Sequence, residues 1–269
     1  MTEEKNLLDI PDFIPEYEQD VQYGYENKAG ENLEKLLRKT SKNHCMYCYA
    51  LLKSDRSNTG HMEHSIEKSL SENNLKECVP NIAIACTDCN LSLKRSGEKK
   101  RVEAVRTEIP EFEKNLVCLK GQCRNECSNY KELKRKYCDN GKIILQPFGV
   151  MGKYSGLKYQ LQYDVEAAEF IPSKKVNYDQ YDREFIKHHI NQFRLNDSKY
   201  RTRALAEFVE DVIEADGKYR KEKEYSNYIV DLFKEKLEGM DQEMVFTYCS
   251  TLYMKYLLNF KNYEVNDGD

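Results

Sequence analysis

Residues 86–90 read Cys86-Thr87-Asp88-Cys89-Asn90, and upstream Cys45-Met46-Tyr47-Cys48 repeats the same cysteine spacing. A C-x-x-C turn can aim two thiolates at one metal, and two such pairs complete a tetrahedral zinc set with no open position, which makes it structural. A single pair reads equally as a redox dithiol. Two pairs in a chain without a secretory leader favour zinc, because a reducing compartment keeps thiols free. Residues 49–85 are too many for a minimal zinc ribbon, so an element is inserted between the two knuckles.

The insert holds His61-Met62-Glu63-His64-Ser65-Ile66-Glu67-Lys68 and then Asn81, and Asn90 follows the second knuckle at once. This histidine-asparagine-asparagine series framed by cysteines resembles the HNH, or ββα-metal, nuclease motif. The positions that match are Glu63-His64, Asn81 and Asn90. Phosphodiester hydrolysis needs a water activated at neutral pH, and a neutral imidazole suits that task, which makes His64 the expected general base. A hard divalent cation, Mg or Mn, would stabilise charge on the scissile phosphate through carboxylate and amide oxygens, so Glu63 and Asn90 are its expected ligands. Asn81 cannot act as a base, but its amide can hold the His64 loop through a backbone carbonyl. His61 shares a strand face with Glu63, and a supporting role or a contact to metal or phosphate is expected of it.

At 269 residues, 40% apolar and 33% charged, the chain can bury one substantial core or two small ones. Mean hydropathy is -0.81, and the greasiest segment, Met244 to Phe260, carries Lys255 and several hydroxyls, so no membrane span is expected. The start, MTEEKNLLDIPDF, has neither a basic-then-apolar leader nor Arg-rich transit composition, which predicts a cytoplasmic protein. A net charge of -4 argues against nucleic-acid binding through the whole surface. Locally the balance differs: residues 1–20 are strongly acidic, whereas residues 90–142 carry an excess of Lys and Arg. Within the latter, Lys94, Arg95, Lys99, Lys100 and Arg101 lie just past the helix that Asn90 would open, a placement that suits a phosphate-binding track.

The resemblance extends past the motif. With Ser69, Ile144-Leu145-Gln146-Pro147, Phe193-Arg194-Leu195-Asn196 and Arg201 or Arg203, the chain resembles, over about residues 40–205, the HNH subunit of Septu-type and retron-associated antiphage systems. The family's proline after the histidine is Glu67 here, and its lysine three residues after the asparagine is Lys94, one position late; Lys68 and Lys94 are the matching phosphate-contact candidates. The resemblance implies a nucleic-acid-degrading effector that works with an ABC-type or SMC-like ATPase. Whether the substrate is DNA or RNA is not legible, since an HNH centre reads a phosphodiester.

These readings predict an α+β protein in four stretches: an acidic arm, 1–28; a zinc-stapled ββα-metal (HNH) nuclease domain, 29–118; a cysteine-containing segment with a small sheet, 119–180; and a helical C-terminal unit, 181–269. Leu33, Leu36 and Leu37 predict a short helix, and Arg101 to Leu116 reads as helix until Pro110 interrupts it. Period-two alternation predicts strands at Lys142–Gln146 and through Leu157, Tyr159, Leu161 and Tyr163. Three amphipathic helices follow: one capped by Asn196 or Asp197 and ending near Gly217, one from Tyr225 to Leu237, and one from Asp241 to Phe260. Their stripes either pack on one another or present a docking face over residues 197–260. Cys118, Cys123, Cys127 and Cys138 form an irregular second set that is either another structural metal site or free thiols. The rival functions are a non-catalytic zinc module that binds nucleic acid or protein, and a nuclease of another setting that needs no ATPase.

Overall fold

A computed structural model describes residues 6–54, 57–71, 74–114, 123–197 and 203–264. It is a mixed α+β protein with small sheets. The chain forms two compact units: Ile10–Leu161 joined by Pro172–Arg194, and the remaining segments, among them Gln162–Ile171 and the chain from Leu195 onward.

The larger unit begins with α1 (Asn27–Thr40), whose buried Gly30, Leu33, Leu36 and Leu37 recur at three- and four-residue spacing and so share one face. Two short strands follow, β2 (Lys53–Ser54) and β3 (Ser57–Asn58). The centre is a two-stranded antiparallel sheet of β4 (Gly60–His64) and β5 (Ile82–Cys86), in register from Gly60 opposite Cys86 to His64 opposite Ile82. Ile82, Ala83, Ile84 and Ala85 are all buried, so β5 is covered on both faces and reads as an unbroken apolar run rather than an alternating one. The chain then makes a π-helical turn, Cys89–Leu93, before α2 (Glu98–Arg106) and α3 (Ile109–Lys114). Pro110 sits in the first turn of α3, where its missing N–H costs nothing. α4 (Ser128–Gly141) starts with the Cys127 thiol accepting the Tyr130 N–H and packs against α2. There Gly141 is obligatory: a Cβ on it would lie 2.3 Å from Arg101 Cδ. α5 (Gln180–Gln192) is capped by the Asp179 carboxylate, which accepts the Asp182 N–H at 2.8 Å.

The smaller unit holds a three-stranded sheet in the order β1 (Leu7–Asp9), β6 (Leu161–Asp164), β7 (Glu169–Pro172), with β1 antiparallel to β6. Its helices are α6 (Arg203–Glu214), α7 (Tyr228–Leu237) and α8 (Gln242–Glu264). Leu205, Phe208, Val209 and Val212 of α6, Ile229, Phe233 and Leu237 of α7, and Val245, Cys249 and Leu252 of α8 are buried. The expected stripes are therefore core. No helix among the described residues is long and apolar enough to cross a membrane.

Several boundaries differ from the expectation. The stretch read as an acidic arm supplies β1 and buries Leu8, Ile10, Phe13 and Tyr23. From Asp9 onward its acids are exposed, on a segment whose apolar residues are spent on the core. The divisions at 28, 118 and 180 do not follow the units, because α4 and α5 belong with the β4–β5 unit while β1, β6 and β7 belong with the last three helices. Ile143, Ile144 and Leu145 are buried in irregular chain rather than a strand, and Leu157 precedes β6 and is exposed. The cap expected of Asn196 or Asp197 lies outside the described residues, since 198–202 separate the two from the described start of α6. The Asn196 side chain grips β7, accepting the Phe170 N–H at 2.7 Å and donating to the Phe170 carbonyl at 2.9 Å. Arg201 lies outside the described residues, and α6 is described from Arg203.

Candidate functional site

The four knuckle cysteines converge, with their sulfur atoms all within 4.8 Å of one another. Cys48 Sγ and Cys86 Sγ are 3.7 Å apart. A zinc–sulfur bond of about 2.3 Å gives a tetrahedron with an edge of about 3.8 Å, so the spacing suits a bound zinc. The first knuckle is held by backbone bonds: the Cys45 N–H donates to the Ala50 carbonyl, the Met46 N–H to that of Ile84 and the Tyr49 N–H to that of Cys45. The Met46 bond ties the first knuckle to β5, which leads directly into the second. The cluster can hold a structural metal such as zinc. Of the second cysteine set, Cys118 lies outside the described residues, Cys127 caps α4, and Cys138 is buried, its thiol pushed up to about 12 by that burial. No second metal-ligand cluster occurs among the described residues.

His64 ends β4 and is 8% exposed. Its Nε2 lies 3.0 Å from the Lys76 carbonyl oxygen. A carbonyl only accepts, so the neutral ring carries its proton on Nε2 and keeps the Nδ1 lone pair. The Tyr25 ring packs against it with centroids 4.4 Å apart, and Lys68, which is exposed, places Nζ 5.0 Å over that same tyrosine. Burial holds the imidazole below its usual value, and the Lys68 and Lys94 charges push the same way against the Lys76 bond and Glu63. His64 is thus a neutral acceptor at physiological pH.

The segment after His64 is tied down residue by residue. The Ser65 N–H donates to the Asn81 carbonyl and its hydroxyl to the Gln146 carbonyl. Asn81 is fully buried and fully satisfied: Oδ1 accepts from the Ile66 N–H at 2.8 Å and Tyr130 at 2.9 Å, while Nδ2 donates to Ile66 at 2.9 Å and Leu75 at 3.0 Å. It acts through backbone geometry and has no free atom for metal or substrate. Glu67 accepts the Tyr137 hydroxyl on both oxygens, at 2.6 and 2.7 Å, and burial raises its pKa.

Glu63 is placed differently from the expectation of a metal ligand open to water. Its side chain is 1% exposed, the Tyr47 hydroxyl donates to Oε1, and Lys94 Nζ lies 2.5 Å from Oε2. Lys94 also donates to the His64 carbonyl. Both carboxylate oxygens are engaged by the chain itself, so Glu63 does not fit a catalytic cation as arranged. Asn90 is half-buried in the π-helical turn, and His61 is exposed on β4 opposite Ala85.

The basic track divides in two. Arg95, Lys99 and Lys100 are exposed, whereas Lys94 and Arg101 are internal, at 6% and 1% exposure. Arg101 donates to the Lys94 and Ser96 carbonyls and lies 5.3 Å from the Tyr137 ring centroid. The five cations cannot all face water: Arg101 lies on α2, which packs on α4, and Lys94 precedes α2 and turns its ammonium to Glu63 and the His64 carbonyl on β4.

Sequence reading missed Tyr47, Tyr25, Ser65 and Tyr130. Tyr47 alone carried a signal, its place inside the first C-x-x-C. No family model, curated protein or solved structure matches the chain.

Proposed function

We propose that the protein is an HNH-type endonuclease that hydrolyses phosphodiester bonds, with His64 as general base. What carries this reading is the His64 geometry: a histidine ends one strand of the antiparallel β4–β5 hairpin, bonded through Nε2 to a backbone carbonyl so that Nδ1 is a lone-pair acceptor. In the reaction Nδ1 takes a proton from water as the water oxygen bonds to phosphorus and the ester oxygen leaves. The knuckles and the bonds to Ser65, Asn81 and Glu67 hold that imidazole in place, as a preorganised base requires. Arg95, Lys99 and Lys100 are the exposed cations that would track a phosphate backbone. The expected Mg or Mn requirement belongs to this reading, but no step is assigned to a cation on Glu63. The antiphage setting and the ATPase partner belong to it too, and rest on the resemblance over residues 40–205.

One observation favours a second reading, a non-catalytic zinc module: the Glu63 carboxylate is closed off by Tyr47 and Lys94. Incubating the zinc-loaded protein with supercoiled plasmid, single-stranded DNA and tRNA, with and without Mg or Mn and a candidate ATPase, separates the two. The endonuclease reading expects cleavage of one substrate, lowered about 10²- to 10⁴-fold by His64→Ala in a folded protein. No cleavage under any condition, or wild-type cleavage by that variant, selects the zinc module.

A further inference from the structure

The β4 carboxylate has both of its oxygens engaged. Tyr47 reaches Oε1 from the first knuckle, itself 1% exposed, and Lys94 reaches Oε2 from the chain just past the π-helical turn. The Lys94 ammonium makes a second bond, to the carbonyl of His64, and its own carbonyl accepts from Arg101. Arg101 continues to Tyr137, and Tyr137 to Glu67, three residues beyond His64. The turn that carries the histidine is therefore braced before and after by one buried network whose innermost pair is Glu63 and Lys94.

We infer that Glu63 is the counter-ion of Lys94, bracing His64, and is not a ligand for a divalent cation, so that any such cation the chain binds is held without it. A cation entering at Oε2 would meet the Lys94 ammonium, which bonds no other acid among the described residues and is 7% exposed. Two positive charges would then share a site nearly closed to water, where like charges repel strongly and neither is hydrated. Entry at Oε1 would strip the Tyr47 hydroxyl, fully enclosed, of its acceptor. Neither oxygen has a solvent-facing side through which a hydrated Mg or Mn, which keeps several waters, could approach. In this arrangement Lys94 is a positioning residue, and the expected phosphate contact from it is replaced by an internal bond.

The inference rests on the endonuclease reading for the cation it concerns. Its test reads cation uptake and fold, not cleavage, so the two can fail separately. Mn²⁺ binding to the full-length, zinc-loaded chain is titrated by electron paramagnetic resonance of the free ion, for wild type and Glu63→Gln. Zinc content and thermal unfolding report the fold. Should Glu63→Gln lose zinc or unfold, the neutral pair Glu63→Gln/Lys94→Met, which removes both charges together, takes its place. Affinities within about twofold of wild type, or no uptake by either protein, sustain the inference. A folded variant that binds Mn²⁺ tenfold or more weakly than wild type overturns it and restores Glu63 as a ligand.

Discussion

Tyr47 lies face to face with Phe193, ring centroids 4.9 Å apart and planes 9° from parallel. The tyrosine belongs to the first zinc knuckle and the phenylalanine closes α5, so this stack seats a late helix against the cysteine centre. Phe193→Ala should cost about 3–5 kcal/mol, because it opens a cavity beneath a ring that is 2% exposed. Tyr47→Phe keeps the stack but strips Glu63 of a donor, and should cost about 1–3 kcal/mol. Urea unfolding at constant zinc measures both; a phenylalanine loss no larger than the hydroxyl loss would contradict the packing account.

One zinc per chain is expected by elemental analysis. Structural zinc in small domains contributes on the order of 10 kcal/mol, comparable with the whole stability of a typical fold. Cys48→Ser or a strong chelator should therefore unfold the β4–β5 unit cooperatively. A Cys48→Ser protein that melts like wild type would remove zinc from the structure.

Acid should destabilise the protein through its buried histidines. His189 is 2% exposed, its Nδ1 accepts the Ile144 N–H at 3.1 Å, and burial, aided by His188, lowers its pKa from 6.5 to about 3. The unfolded chain takes up the proton first, so this contribution is complete above about pH 6.5 and drains away as pH falls toward 3. One proton corresponds to about 1.4 kcal/mol per pH unit, and His64 is shifted in the same direction. Unfolding free energies for His189→Gln, which keeps an acceptor without the titration, should fall less steeply between pH 6 and 4. An unchanged slope would mean that His189 is not protected.

The two halves of the basic track should behave oppositely. Replacing exposed Arg95, Lys99 and Lys100 by alanine should leave stability within about 0.5 kcal/mol. The same change should weaken nucleic-acid binding and flatten its salt dependence by about 0.9 per lost phosphate contact. Arg101→Ala should instead lower stability by several kcal/mol, since the buried Lys94 carbonyl loses its donor at about 1–3 kcal/mol and the packing of a side chain that is 1% exposed is lost with it. Fluorescence anisotropy over a salt series, paired with thermal unfolding, distinguishes a binding loss from a folding loss.

The zinc knuckles were legible in the sequence because a metal site demands ligand types at short, local spacings, and so were the last three helices, because burial on one face imprints a 3.6-residue period. Asn81 was singled out by the motif it matches, and its holding role followed from an amide that has no charge to offer. Which partners each polar side chain takes was decided only by the tertiary structure. Glu63 in the sequence is a carboxylate beside a histidine. In the fold it meets Lys94 and Tyr47, brought from either side by the second and first knuckles. Arg101 reads as part of a solvated run until α2 lies on α4, Lys94 until it meets the Glu63 carboxylate, and nothing local to Asn196 announces its clamp on β7. Local spacing reports the bonds a short segment makes with itself. An ion pair or a clamp between distant segments leaves no period in either one, because its geometry exists only after both have packed.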